Sequence, residues 1–311
     1  MSEARLPPAE AAAAIRWAAG RFKRARLRFG HGTDNPLDEA AALVFHAAGW
    51  PHSAAPAAYQ KSLPRAARAA LGVLVRRRIE ERLPAAYLTG VTWFAGHEMR
   101  VDARVLVPRS PFAELIQQHF RPFVHPGEVT RILDLGTGSG CIAIAAAHAF
   151  SVARVDATDI SAGALEVARS NVRLHGLGSR VRVIRSHVFR GLGARRYDMI
   201  LSNPPYVPRR DVDRLPAEYR HEPRIGLEAG DDGLRVVRAI LKGAAKHLTP
   251  RGILVVEVGD TAAAVAAEWP GLPFLWLGFE HGGGGVFLLR AQDLRAPRKA
   301  PRARTGKRDV G

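Results

Sequence analysis

Asn203-Pro204-Pro205-Tyr206 stands directly behind the apolar run Tyr197-Asp198-Met199-Ile200-Leu201. A proline donates nothing to a sheet ladder and fixes its own φ, so this pair ends a buried strand abruptly. An amide, a rigid bend and an aromatic ring side by side suit one kind of acceptor. A planar NH2 group is a poor nucleophile, because its lone pair is delocalised into a carbonyl or a ring. Two acceptors gripping both of its N–H bonds would aim that lone pair at an incoming methyl carbon. The side-chain oxygen of Asn203 and the main-chain carbonyl of Pro204 can serve as those acceptors, and Tyr206 can stack on the flat group. Such a site works by positioning and electrostatics, with no obligatory general base.

A second constellation lies upstream in "RILDLGTGSGCIAIA", an apolar run entering Gly136-Thr137-Gly138-Ser139-Gly140 and then a helical pattern. Glycines at a strand–helix corner allow positive φ and let a ligand lie against backbone. Asp159 follows 19 residues after Gly140, at the end of the next apolar run, where a carboxylate can accept both hydroxyls of a ribose. The pair indicates an adenosine-containing cofactor. The spacing is Gly-x-Gly-x-Gly, not the Gly-x-Gly-x-x-Gly usual for dinucleotides. The plain alternative for Asp159 alone is an N-cap for a helix over 161–174, a role Ser161 could equally fill.

The elements that must position these groups alternate. Strands are expected at 131–135, 153–158, 181–185, 197–202 and 252–258, with helices at 140–149, 161–174 and 233–247. That alternation predicts an α/β fold with right-handed crossovers and a mainly parallel sheet. Segments 273–279 and 285–290 are joined by too short a link for a helical crossover, so the sheet should end in an antiparallel hairpin. Upstream, residues 1–86 read as a small helical domain. Its helices fall at 9–29, after an Asn35 N-cap followed by Pro36, and at about 64–82 with Leu71, Val73, Leu74 and Ile79 inward. Residues 87–107 switch to period two, which predicts a hairpin. A helix over 111–120 completes the 87–128 connection to a catalytic domain at 129–291.

"PAAYLTG", "FAGHEMRVDARVLVPR", "LDLGTGSGCIAIA", "SNPPY" and "EYRHEPRIGLEAGDDGL" together resemble the protein-glutamine N5-methyltransferases over about residues 10–290. "FGHGTDNP", "VPRSPFAELI" and "FEHGGGGVFLL" are similar to the branch that modifies the third large-subunit ribosomal protein. The release-factor branch tends instead to carry Arg-Pro-x-Thr-Glu where this chain has Arg109-Ser110-Pro111-Phe112. The resemblance implies a Rossmann-like class I fold dependent on S-adenosyl-L-methionine. It further implies that Gly136, Thr137, Gly138, Ser139 and Gly140 line the cofactor and Asp159 binds its ribose. Asn203, Pro204, Pro205 and Tyr206 would hold a glutamine amide, and the helical domain would recognise a ribosomal protein. His187 and Val188 fall where the family lines the adenine. Ser186-His187-Val188-Phe189 stands where it usually shows Ser-Asp-hydrophobic-Phe, so a carboxylate contact with the adenine amino group is missing. The alternatives are a release-factor glutamine methyltransferase, a nucleic-acid adenine amino-methyltransferase and a non-catalytic RNA-associated protein. An adenine enzyme would need a larger target-reading domain, and the intact glycine loop, Asp159 and Asn203 argue against lost catalysis.

Of 311 residues, 47% are hydrophobic and 24% charged, as in ordinary globular proteins. No apolar run approaches the roughly 18 residues of a membrane span, charges and prolines interrupt the N-terminus too early for a signal peptide, and the one cysteine, Cys141, precludes an intramolecular disulfide. A cytoplasmic setting is expected. The formal net charge is +17, and residues 295–308 carry seven Lys or Arg and no acid. Residues 292–311 read as a disordered basic tail, either a plain solvated extension or a weak RNA-contacting arm. "RFKRARLRF" (21–29) reads as a solvated basic face or an RNA-facing patch. Glu222 and His221 fall on a loop expected to cover the Asn-Pro-Pro-Tyr site, with an Arg220 or Arg224 ion pair as the plain alternative. Cys141 is expected to be a small buried residue. The 12 histidines show no paired ligand spacing, so no metal is expected.

Overall fold

The computed structural model describes residues 6–51, 54, 56–280 and 282–295. Helices α1 (Ala11–Arg24), α2 (Pro36–Ala48) and α3 (Arg65–Glu80) form the N-terminal layer. Asn35 caps α2 as expected, its side chain accepting from Leu37 N and Asp38 N at 3.0 Å, with Pro36 in the first turn. On α3 the inward residues include Leu71 and Val75, whereas Val73 is exposed. Leu74 and Ile79 pack half-buried on the same core as expected, so of the four expected residues only Val73 turns outward, and the inward stripe also carries a charge. Arg78 is fully buried and donates from Nε to Glu39 of α2 at 2.6 Å.

A short helix α4 (Ala85–Thr89) precedes an antiparallel hairpin of β1 (Val91–Phe94) and β2 (His97–Arg100). Ala95 and Gly96 both take positive φ, as a tight two-residue hairpin turn requires. The hairpin is therefore shorter than 87–107: its start is helical, and 101–111 is an irregular linker ending at α5 (Phe112–Gln117).

Then come β3 (Arg131–Leu135), α6 (Cys141–Ala149), β4 (Arg154–Asp159), α7 (Ala162–Leu174), β5 (Val181–Arg185) and β6 (Tyr197–Ser202). Two single-turn helices follow, α8 (Arg209–Val212) and α9 (Arg224–Leu227). The chain continues through α10 (Arg235–His247), β7 (Leu248–Glu257), α11 (Ala262–Glu268), β8 (Leu275–Leu277), β9 (Val286–Arg290) and α12 (Ala291–Arg295). The seven-stranded sheet runs β5-β4-β3-β6-β7-β9-β8. Its first five strands are parallel, and β9 is antiparallel to both neighbours. The expected terminal hairpin is there, with β9 inserted between β7 and β8.

Successive residues feed opposite faces. Ile132 and Leu201 join the core under α5 and α6, while Leu133 and Ile200 join the core under α10. Residues 292–295, counted with the tail in the sequence, are helical. Leu294 packs on the core and Asp293 accepts from Arg290 N at 2.8 Å. The remainder of the basic tail, 296–311, lies outside the described residues.

Candidate functional site

The sheet reverses its winding between β3 and β6, whose C-terminal ends lie side by side with Leu135 opposite Ser202. The glycine loop leaves one strand and Asn203 the other, so both constellations open into the same crevice, as at the switch point of an open α/β sheet. A cavity of about 750 Å³ occupies it.

Gly136 and Gly138 hold positive φ, and a Cβ on either would meet nothing within 4 Å. The loop thus offers bare backbone to the cavity. It is pinned from β4: Gly136 N and Thr137 N both donate to the Thr158 carbonyl at 2.8 Å. Gly138 N donates to Asp159 Oδ2 at 3.0 Å, and Ser161 N to Asp159 Oδ1 at 2.9 Å. Burial pushes the Asp159 carboxyl up from its ordinary value, and these backbone donors oppose the shift. Ser161 is the N-cap of α7, accepting from Ala164 N, which leaves Asp159 to face the cavity. Beneath the loop, fully buried Asp134 accepts from Thr137 Oγ1 at 2.5 Å and Ala143 N at 3.2 Å. Desolvation pushes Asp134 up to about 7.

Asn203, Pro204, Pro205 and Tyr206 all line the cavity. Among the described residues neither the Asn203 side-chain amide nor the Pro204 carbonyl has a protein hydrogen-bond partner. The segment is fixed by its neighbours, Ser202 Oγ donating to Leu135 O at 2.8 Å and Val207 N to Leu227 O at 2.9 Å. The Tyr206 ring lies against Gly259, where a Cβ would come within 2.7 Å of Cε2. Its hydroxyl makes a long 3.5 Å contact with Glu257 Oε1, and Ser110 Oγ donates to Glu257 Oε2 at 2.5 Å. Burial raises Glu257 to about 7.

His187 and Val188 border the same cavity. Val188 takes φ +51°, a strained setting for a β-branched residue, and the Ser186 hydroxyl holds it by donating to Val188 O at 2.7 Å. Gly140 is the exception among the expected residues: it does not line the cavity. It opens α6 with φ +85°, and a Cβ there would lie 3.4 Å from that of Ala168, so its role is close packing of α6 on α7. Cys141 is half-buried and borders the cavity, and burial pushes its thiol up to about 12, which keeps it protonated.

The covering loop is tied down by partners the sequence did not suggest. Glu222 pairs with Arg109 of the linker at 2.6 Å through two parallel bonds, not with Arg220 or Arg224. It also accepts from Val107 N at 3.0 Å and lies 3.7 Å from His31 Nε2. Burial alone would raise the Glu222 carboxyl, but Arg109 and His31 hold it at about 2. Buried Glu218 fastens the same loop to the N-terminal layer, accepting from Arg28 N at 3.0 Å and Arg82 Nη1 at 3.2 Å. Tyr219 lines the cavity between them, its ring tilted at 58° against that of His31 with centroids 4.4 Å apart, and beneath the Arg109 guanidinium. His221 Nε2 donates to Glu81 O at 2.8 Å, pointing away from the site. On 21–29 the five basic side chains are exposed while Phe22 and Leu27 are buried.

Residues 113–217 match the methyltransferase small domain family, and residues 13–90 match the PrmC N-terminal domain. The chain is 48% identical over 283 residues to the ribosomal protein uL3 glutamine methyltransferase of Xanthomonas campestris pv. campestris, covering 91% of each. It is 48% identical over 283 residues to the protein of that name from Xylella fastidiosa strain Temecula1, covering 91% of this chain and 90% of that one. A solved methyltransferase from Pyrococcus furiosus is similar at 20% identity and a TM-score of 0.47, covering 70% of this chain and 96% of that one. The sheet order and the matched domain define a class I S-adenosylmethionine-dependent methyltransferase fold. Within it, the chain belongs to the family of ribosomal protein uL3 glutamine methyltransferases.

Proposed function

We propose that this chain methylates the side-chain amide nitrogen of a glutamine in ribosomal protein uL3, with S-adenosyl-L-methionine bound in the crevice between β3 and β6. The observation that carries the reading is the unpartnered Asn203 amide and Pro204 carbonyl, facing one cavity with the bare glycine loop and Asp159. The donor set fits the cofactor: open backbone at Gly136 and Gly138 for its chain, and the Asp159 carboxylate for its ribose hydroxyls. Thr137 and Ser139 complete the loop's wall, and His187 and Val188 border the adenine end. When bound, the cofactor supplies an electrophilic methyl group on a sulfonium.

The chain's own residues do the rest. The Asn203 oxygen and the Pro204 carbonyl accept the two N–H bonds of the glutamine amide, fixing the nitrogen and turning its lone pair toward the donor side. Tyr206 covers the amide plane. Gly259 leaves room for that ring, and Glu257 stands at its hydroxyl. This is catalysis by orientation, for which positioned intramolecular reactions gain several kcal/mol, about 7–11 at the upper end. The loop held by Glu218 and Glu222 puts Tyr219 at the cavity wall, so the N-terminal layer and the linker together shape the side from which a protein substrate enters. The names borne by relatives at 48% identity support uL3 as that substrate.

The test is incubation of the full chain with isotopically labelled S-adenosyl-L-methionine and purified uL3, followed by peptide mapping. One labelled glutamine peptide is expected. Label on nucleic acid, or none on uL3, would contradict the reading.

A further inference from the structure

Three histidines that the sequence keeps far apart converge beside the turn of the hairpin. His97 begins β2, His148 lies in the last turn of α6, and His175 directly follows α7. One ring nitrogen from each lies within 4.8 Å of the others. The His97 and His148 rings are stacked with centroids 4.4 Å apart, and His175 meets both edge-on, at 5.8 Å and 5.4 Å. The cluster lies on the outer surface where hairpin and α/β domain meet, and none of its residues lines the crevice between β3 and β6.

From this geometry we propose a surface binding site for a divalent transition metal, zinc in the first instance, with His97, His148 and His175 as its three protein ligands. Neutral imidazole is a ligand suited to zinc, copper and nickel, and three histidines with a water in the fourth position form a tetrahedral zinc set. Zinc–nitrogen bonds of about 2.0–2.1 Å bring ligand nitrogens to about 3.3 Å from one another. Half-exposed His97 and His175 and exposed His148 have the freedom to close that gap by ring rotation.

One ligand has a second-nitrogen partner. His175 Nε2 lies 2.7 Å from Glu98 O, and a carbonyl only accepts, so Nε2 is the donor in that contact and Nδ1 is the ligand atom of this proposal. A backbone carbonyl taking the second ring N–H is the usual support of a metal-binding histidine. The hairpin is pinned to α7 at its far end, where Arg100 N donates to Asn171 Oδ1 at 2.8 Å and Asn171 Nδ2 returns a bond to Arg100 O at 2.9 Å. A metal on His97 fastens the other end of β2, beside the Ala95-Gly96 turn, and so fixes the hairpin that connects the N-terminal layer to the crevice.

The test uses tag-free full-length protein, titrated with zinc alone by calorimetry and with cobalt as a visible-absorption reporter, beside His97→Ala and His148→Ala. One equivalent should bind with a tetrahedral cobalt spectrum, and each variant should bind about tenfold or more weakly. Amide exchange in residues 91–100 should slow on zinc addition in the wild type alone. His148 is exposed, so that variant folds and keeps the comparison interpretable. No binding by the wild type, or equal binding and equal hairpin protection in the variants, overturns the site.

Discussion

Arg109 grips Glu222 with both terminal guanidinium nitrogens at 2.6 Å, across 113 residues of sequence. The pair joins the linker after the hairpin to the loop that covers Asn203. Glu222 is buried and Arg109 mostly so, which makes loss of one partner expensive because the other charge is left unpaired. Glu222→Gln should lower stability by about 2–4 kcal/mol. Urea denaturation of the two proteins at neutral pH checks this, with an unchanged midpoint as the contrary outcome.

The same carboxylate has a pH signature. Its folded value of about 2 lies below the ordinary carboxylate value. Stability from Glu222 is therefore complete above the unfolded pKa, near 4.3, and is lost as pH falls from there toward 2. Wild type should lose its advantage over Glu222→Gln through that acid window. Parallel stability curves between pH 5 and pH 2 would count against the ion pair.

Glu257 should behave in the opposite sense. Burial raises it to about 7, so the fold favours its neutral form. Its contribution is complete below the unfolded value and is lost as pH rises through about 7. Glu257→Gln, which stays neutral, should flatten stability between pH 5 and pH 8, by an amount on the order of 2 kcal/mol. Thermal melts of both proteins across that range give the comparison.

Gly259→Ala places a Cβ within 2.7 Å of Tyr206 Cε2, at a backbone φ of +47°. The ring must shift, while the glycine loop and Asp159 are untouched. Turnover should fall by about tenfold or more at saturating cofactor, with cofactor affinity retained. Asp159→Ala should do the reverse, weakening cofactor binding by about 1–3 kcal/mol through unsatisfied ribose hydroxyls. Calorimetry and single-turnover assays on the two variants separate these roles.

The parallel strands and the two constellations at their ends were legible because each is written in a short run. Apolar blocks bounded by turns give β3, β4 and β6, and Gly136–Ser139, Asp159 and Asn203–Tyr206 then fall at strand ends. Gly140 belongs to the same motif by spacing, yet packing of α6 on Ala168 decides its place. The Arg109–Glu222 pair, the Ser110–Glu257–Tyr206 contacts and the three-histidine cluster join distant segments. No local spacing encodes them, so only the fold brings them together. Buried Arg78 of α3 was not legible for a related reason: Glu39 of another helix pairs with it, and a hydrophobic pattern does not score a charge as inward.

The most direct measurement is peptide mass spectrometry of uL3 after incubation with S-adenosyl-L-methionine and either the wild-type chain or Asn203→Ala, with cofactor binding measured in parallel. Wild type should add a single methyl group to one glutamine. Asn203→Ala should bind the cofactor nearly as well and be slower by about a hundredfold or more, because the acceptor amide has lost one of its two anchors. Methylation of uL3 by Asn203→Ala at the wild-type rate, or a loss of activity explained wholly by lost cofactor binding, would contradict the account.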